Sequence, residues 1–370
     1  MRKIIPSWTC EYDLERNRDT YIKLINNVFD SGRLLFGNQL KNFEKNFAEY
    51  IGTKFSVGCD NATNAIFLIL KAVGIGQGDE VITVANTAIP TVSAIKQANA
   101  RPIFVDVNKN GLIDVDKVPD LISERTKAIV IVHLYGYPVN FDALMKYKKT
   151  HGLTIIEDCS QAHGAKINDR KVGSIGDFSA FSFYPTKSLG AFGDAGIICT
   201  SNLSKYNLLK ELRFYGIEKD YVAKVDGYNS RMDEIQAAIL NYKLTKLDQN
   251  IAYRKKIANF YYQNVNSELL NPIPQPEDSD CSYYLIPFYF RKDRDIFQKD
   301  LEKSGIITNV SYRTPVHLMP AYKDLGYNYG DLPVTEHHCN HNISLPIFDY
   351  MPLEFVDHIV DKVNSICKTY

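Results

Sequence analysis

AIVIVHLYGYPVNFDALMKYKKTHGLTIIEDC, residues 128–159, sets the architecture of this chain. The run 128–136 is short, apolar and rich in Val and Ile, which predicts a buried strand. FDALMKYKKTHG (141–152) has a helical pattern and ends on a glycine. LTIIEDC (153–159) is a second buried strand, closing on an acidic pair. The same alternation precedes it: strands at EVITVAN (80–86) and PIFVDV (102–107), helices at NATNAIFLILKAVG (61–74) and TVSAIKQAN (91–99). Repeated strand–helix–strand units predict an α/β fold with a mainly parallel central sheet. Ligands of such folds sit at the carboxyl ends of the strands.

Outward from that unit, RMDEIQAAILNYKLTKLDQNIAYRKKIANFYYQNV (231–265) reads as one long helix or two joined ones. A Pro-rich acidic loop (271–280), a strand at CSYYLIPFYF (281–290) and a helix at RDIFQKDLEKSG (294–305) follow. The expected organisation is a large domain over residues 1–244 and a smaller α+β domain over 245–370. A chain of 370 residues exceeds one simple core.

The composition is that of an ordinary globular protein, with 45% hydrophobic and 23% charged residues. Lys+Arg and Asp+Glu both number 43, which gives no ground for a nucleic-acid or membrane partner. No apolar run approaches the roughly 18 residues of a membrane helix, and the N-terminus is not a secretory signal. The 7 cysteines are scattered without a CxxC pair, which reads as reduced thiols in a cytoplasmic protein.

Three features carry chemistry. Glu157–Asp158 closes a strand, so one carboxylate is available at the ligand edge of the sheet. FSFYPTKSLGAFGDAG (181–196) sets Lys187 among Phe181, Phe183, Tyr184 and Phe192. Such a surround would partly desolvate the amine, and burial disfavours an ammonium. A neutral amine attacks a carbonyl to form a Schiff base. CDNATNAIFLIL (59–70) leads a small polar turn into a helix, whose free N–H groups make an anion site. GIGQGDEV (74–81) precedes a strand and reads as a turn, not a dinucleotide fingerprint. An amine, a strand-end carboxylate and an anion cradle together form the set that pyridoxal phosphate needs.

The chain resembles the DegT/DnrJ/EryC1/StrS family of pyridoxal-phosphate-dependent sugar aminotransferases, of aspartate-aminotransferase fold (fold type I). The motifs are CDNATNAI (59–66), IIEDCSQAHGA (155–165), FSFYPTKSLGAFGDAG (181–196), GYNSRMDEIQAAIL (227–240) and RTPVHLMPAY (313–322). The resemblance implies that Lys187 anchors the cofactor and shuttles protons. It implies that Asp158 pairs with the pyridine nitrogen and that Gln161 sits near the ring hydroxyl. Ala62, Thr63 and Ser182 would bind the phosphate, and Asn229 would reach the phosphate of a neighbouring subunit. An obligate homodimer with shared sites follows from that last role. The implied reaction moves an amino group from L-glutamate to a nucleotide-linked keto-6-deoxyhexose, best matched by a dTDP-linked 3-keto sugar. Amination at C4 of a dTDP- or UDP-linked sugar is the alternative, and bacterial surface polysaccharide, such as lipopolysaccharide, the usual setting.

Two departures from the family pattern stand out. Ala62 replaces the usual Gly or Ser of the phosphate turn, a change that a backbone contact survives. Ala88 stands where many relatives stack an aromatic ring on the cofactor. A dehydratase branch has histidine in place of the lysine, so Lys187 favours transamination over dehydration. A regulatory homologue without turnover would be expected to lose Lys187, Asp158 or Gln161 first. Tyr184, Tyr312 and His317 are candidate sugar contacts, and the loop SGRLLFGNQ (31–39) a candidate cover. Tyr184 also reads as core packing and His317 as a loop hydrogen-bonder. His163 is expected to hold the Asp158 loop. EHHCNHNISLP (336–346) gathers His337, His338, Cys339 and His341, but adjacent ligands point different ways, so no metal site is assigned.

Overall fold

The computed structural model describes residues 4–370, the side chain of Lys219 excepted. Residues 1–3 of the expected first domain lie outside it. The central sheet has strands β1 (Phe55–Cys59), β2 (Glu80–Val84), β3 (Arg101–Val105), β4 (Thr126–Val132), β5 (Thr154–Asp158), β6 (Phe178–Ser182) and β7 (Gly196–Thr200). Their order is β1-β7-β6-β5-β4-β2-β3. The pairs β2–β3, β2–β4, β4–β5 and β5–β6 are parallel, and β7 alone runs against its neighbours β1 and β6. Strands buried on both faces carry near-continuous Val/Ile runs, as here.

Helices α1 (Glu11–Asp30) and α2 (Asn38–Ile51) precede the sheet. Crossovers α3 (Ala62–Ala72), α4 (Ile89–Gln97) and α5 (Met145–His151) link its strands, and α6 (Leu203–Leu212) follows the last of them. α3, α4 and α6 cover one face, where Ile66, Ile95 and Leu209 meet Val130, Ile156 and Ile198. The long helical pattern resolves into α7 (Glu234–Leu244) and α8 (Leu247–Asn264). On the opposite face, α8 and a small antiparallel sheet share one core with Ile129, Ile131 and Ile155. That sheet pairs β8 (Leu270–Pro272), β9 (Ile286–Phe290) and β10 (Asn342–Leu345), and is flanked by α9 (Arg294–Lys303), α10 (Pro333–His341) and α11 (Leu353–Cys367). α9 is followed by Gly305 at φ 85°, the expected glycine stop.

Two expectations shift. Strand β4 ends at Val132, four residues before the predicted end. The His133 N–H still bonds the Asp158 carbonyl at 3.1 Å, but the chain then turns through Tyr135 at φ 63°. The late segment around Val316 packs on the central sheet: the Val316 N–H donates to the Ala85 carbonyl at 3.0 Å, and Val316 joins Ala85, Val92 and Phe104 in one apolar cluster.

Candidate active site

Side chains alternate along a strand, and β5 uses this to separate its two acids. Glu157 turns to the face opposite α3 and α4. Its carboxylate accepts the N–H groups of Gly173, Ile175 and Gly176 at 2.7–2.9 Å and the His133 Nε2–H at 3.0 Å. The Val139 N–H donates to His133 Nδ1 at 2.9 Å, so the ring proton sits on Nε2. Glu157, His133 and the nearby Cys159 are thus a satisfied structural group, although their ligand atoms lie within 4.8 Å of one another. Asp158 turns the other way, toward α4. It accepts the Thr91 hydroxyl at 2.7 Å and the Ser160 N–H at 3.1 Å, and Thr91 in turn meets the Thr87 hydroxyl at 2.9 Å. The sequence reading missed both threonines. TAIPT (87–91) looks like a plain N-terminal turn, and only the fold brings it to β5.

Asp158 lines a cavity of about 530 Å³ at the carboxyl edge of the sheet, together with Ala62, Thr63, Ala88, Gln161, Ser182, Tyr184 and Lys187. The start of α3 forms one wall. The Asn61 side chain caps it, accepting the Asn64 N–H at 2.8 Å. No protein acceptor is present for the N–H groups of Ala62 and Thr63 among the described hydrogen bonds. The amino end of β7 runs tight against this turn. A Cβ on Gly196 would lie 2.5 Å from the Asn61 carbonyl carbon and 2.8 Å from the Ala62 nitrogen. Two free N–H groups at a helix start, with the Ser182 hydroxyl lining the same cavity, form an anion cradle.

Lys187 stands on the opposite wall, in a turn closed by its own N–H on the Tyr184 carbonyl at 2.8 Å. The expected aromatic surround is corrected here. Phe181 and Phe183 face away, into the cluster with Phe43 and Phe47, and Phe192 packs on Tyr21. The ring at the amine is Tyr284, contributed from beyond α8, with Nζ 4.6 Å from its centroid. Tyr284 is held by its hydroxyl, 3.1 Å from Thr186 Oγ1.

Gln161 accepts the Tyr135 N–H at 2.8 Å and donates to the Tyr312 hydroxyl at 3.0 Å, so Tyr312 reaches the site through Gln161. Tyr184 is 53% exposed at the cavity rim, which overturns the core-packing alternative. His317 does not reach the cavity. It is buried, with Nε2 3.1 Å from Glu336 Oε1 and its ring near Phe104 and Tyr327. Near Ala88 the lining is aliphatic, from Pro90, Val132 and Leu134, and Tyr184 is the one aromatic lining residue. Asn229 is exposed and outside this cavity.

His163 does not hold the Asp158 loop. Its ring lies between Phe181 and Phe183, at 5.5 and 5.7 Å, with both nitrogens buried and no well-formed hydrogen bond beyond a weak contact with the Ser182 backbone. Burial, with the Lys187 charge second, pulls its pKa down to about 3. In the 336–346 run His338 is buried between two tyrosine hydroxyls, and His337 stacks on His341.

One cavity therefore presents an amine, a carboxylate and an anion cradle, a donor set that fits pyridoxal phosphate. The model of the DegT/DnrJ/EryC1/StrS aminotransferase family matches residues 15–364. The chain belongs to that family. It is accordingly a pyridoxal-phosphate-dependent aminotransferase. It is 41% identical to the dTDP-3-amino-3,4,6-trideoxy-alpha-D-glucose transaminase of Micromonospora megalomicea subsp. nigra over 366 residues, 97% of this chain and 98% of the relative. It is 37% identical to the pleiotropic regulatory protein of Geobacillus stearothermophilus, covering 99% of both. Its fold superposes on the crystal structure of S. venezuelae DesV in complex with a ketimine intermediate with a TM-score of 0.95, at 34% identity and 99% coverage of both chains.

Proposed function

We propose that this enzyme transfers the amino group of L-glutamate to a nucleotide-linked keto-6-deoxyhexose, with a dTDP-linked 3-keto sugar as the preferred acceptor. The observation that carries the reading is the convergence of Lys187, Asp158 and the free N–H groups of Ala62 and Thr63 on one cavity. The name of the Micromonospora relative supports the choice of nucleotide and carbon.

Bound pyridoxal phosphate supplies an electron sink for a carbanion formed beside its ring. The residues of this chain do the rest. Ala62, Thr63 and Ser182 hold the phosphate. Lys187 anchors the aldehyde and, once free, carries the proton between donor carbon and cofactor. Asp158, oriented by Thr91, keeps the ring nitrogen protonated. Gln161 would hold the ring hydroxyl, Tyr312, bonded to Gln161, would contact the sugar, and Tyr184 borders the entrance. Ala88 and its aliphatic neighbours would cover the ring face.

The working unit is a homodimer in which Asn229 completes the partner's phosphate site. Around Asn229 lie exposed apolar groups: Leu34 at 56%, Leu35 at 38% and Tyr215 at 41%. Phe214 bridges to Asn229, and Leu35 to Asp233. The chain divides at 244/245, between α7 and α8. The 7 free thiols suit the cytoplasm, and no helix among the described residues is long and apolar enough to cross a membrane.

The test is direct. Borohydride should trap the cofactor on Lys187, and L-glutamate should convert the absorbance to that of the amine form. Glutamate with a mixture of 3-keto and 4-keto dTDP- and UDP-sugars should yield one aminated product, identified by mass and NMR. Lys187→Ala should abolish both the trap and the turnover. Normal turnover in that variant would refute the assignment. A regulatory role, which the name of the Geobacillus relative suggests, predicts no product from any sugar.

A further inference from the structure

The EHHCNH run has no place in the site described so far, yet one of its members is wired to that site. His338 lies on α10, fully buried. Its Nε2 is 2.7 Å from the Tyr135 hydroxyl and its Nδ1 is 2.6 Å from the Tyr289 hydroxyl. The proton positions follow from the partners. The Tyr135 hydroxyl also lies 2.6 Å from the Ser311 carbonyl, which only accepts, so its proton points there. Tyr135 oxygen must then accept from His338 Nε2–H, and His338 Nδ1 accepts from Tyr289. The ring is neutral in this arrangement, in agreement with a pKa that burial, with His337 second, pulls down to about 3.

Both arms end at Gln161. The Tyr135 N–H donates to Gln161 Oε1, and the Tyr135 hydroxyl pins the carbonyl of Ser311, the residue before Tyr312. Gln161 Nε2 then donates to the Tyr312 hydroxyl, which leaves the Tyr312 proton free to point elsewhere. The chain has made room for this ring. Gly111 abuts it so closely that a Cβ there would overlap the imidazole, and the Gly111 carbonyl accepts from Asn86, next to Thr87.

We propose that His338 is a positioning residue: it locks Tyr135 and the 311–312 segment together, so that Gln161 and the Tyr312 hydroxyl meet the cofactor and sugar in one fixed geometry. It rests on the reading that Gln161 and Tyr312 touch cofactor and sugar. The four residues come from three separate parts of the chain: Tyr135 follows β4, Ser311 and Tyr312 belong to the late segment, and His338 sits on α10. A single imidazole, donating on one side and accepting on the other, fits between the two tyrosines.

The test is a double-mutant cycle on the holoenzyme with His338→Phe and Tyr312→Phe. It is read as kcat and KM for the sugar, as the absorption maximum of bound pyridoxal phosphate and as cofactor affinity by dialysis. Each single variant should lose ~5–10-fold in kcat/KM, the size of one buried hydrogen bond. The double variant should lose no more than the worse single one. His338→Phe should also shift the absorption maximum, and His338→Gln, which keeps a donor and an acceptor, should restore it. Tyr289→Phe removes one bond at constant shape and should show a smaller loss in the same direction; it carries the test if His338→Phe does not fold. Strict additivity, or a drop in thermal midpoint with kinetics and spectrum unchanged, would overturn the proposal. A Tyr312→Phe variant with wild-type kinetics would instead overturn the role of Tyr312, and the proposal with it.

Discussion

Lowering the pH from 7 to 5 should remove about 2 kcal/mol of stability through His163 alone. An unfolded histidine binds its proton below about 6.5. Folded His163, fully buried and with only a weak opposing contact to the Ser182 backbone, binds it only near pH 3. Between those values the unfolded state holds more protons, so stability is full above pH 6.5 and falls as pH drops toward 3. At pH 5 the difference amounts to about 2 kcal/mol, against about 0.2 kcal/mol at pH 7. Carboxylates titrate over part of the same range, so the measurement is a comparison with His163→Phe. Phenylalanine suits the slot between Phe181 and Phe183 and gives up at most the weak contact of the ring with the Ser182 backbone. Urea unfolding of both holoenzymes at pH 7 and pH 5 should show near-equal stability at pH 7 and a gap of about 2 kcal/mol in favour of the variant at pH 5. Parallel pH curves, agreeing within about 0.5 kcal/mol, would refute the reasoning. So would a loss of about 2 kcal/mol at pH 7, the mark of a ring nitrogen that does hold a partner.

Two substitutions probe the cavity walls. Gly196→Ala should push the Asn61–Ala62 turn off its strand, since the new Cβ would meet backbone at 2.5 Å. Cofactor affinity, measured by dialysis, should fall at least tenfold while bound cofactor still reacts with borohydride; unchanged affinity would mean that this turn is not the phosphate cradle. Thr91→Val removes the hydroxyl donor to Asp158 at nearly constant volume. It should lower kcat by ~10-fold, the worth of one hydrogen bond to a buried charged group, with little change in thermal midpoint; an unchanged kcat would mean that Asp158 needs no such partner.

Much of this was legible in one dimension because it depends on local pattern. Val/Ile runs bounded by turns place β2 to β5 to within a few residues, whereas β6, FSAFS, has no such run; the break between α7 and α8 falls inside a continuous helical pattern. Lys187, Asp158 and the Ala62–Thr63 turn stand out because each follows a strand or starts a helix near the ligand edge, while Gln161 is legible only through the family resemblance. Two misreadings share one cause. Phe181 and Phe183 adjoin the lysine in sequence, but strand alternation turns them into the core. His163 is assigned to the Asp158 loop for the same reason of proximity, whereas His317 is taken from the late family motif.

What the sequence determined by itself is the layer order, the ligand edge and the chemical set: an amine, a carboxylate and an anion cradle. Side-chain periodicity and chain direction suffice for that. Only the tertiary structure decided who stands beside them. Thr91 reaches Asp158 across 67 residues of chain, Tyr284 caps Lys187 from beyond α8, and His338 joins Tyr135 across 203. Such partners are selected by packing and by the need of each buried donor and acceptor to find its match. Neither requirement leaves a periodic trace in the order of residues.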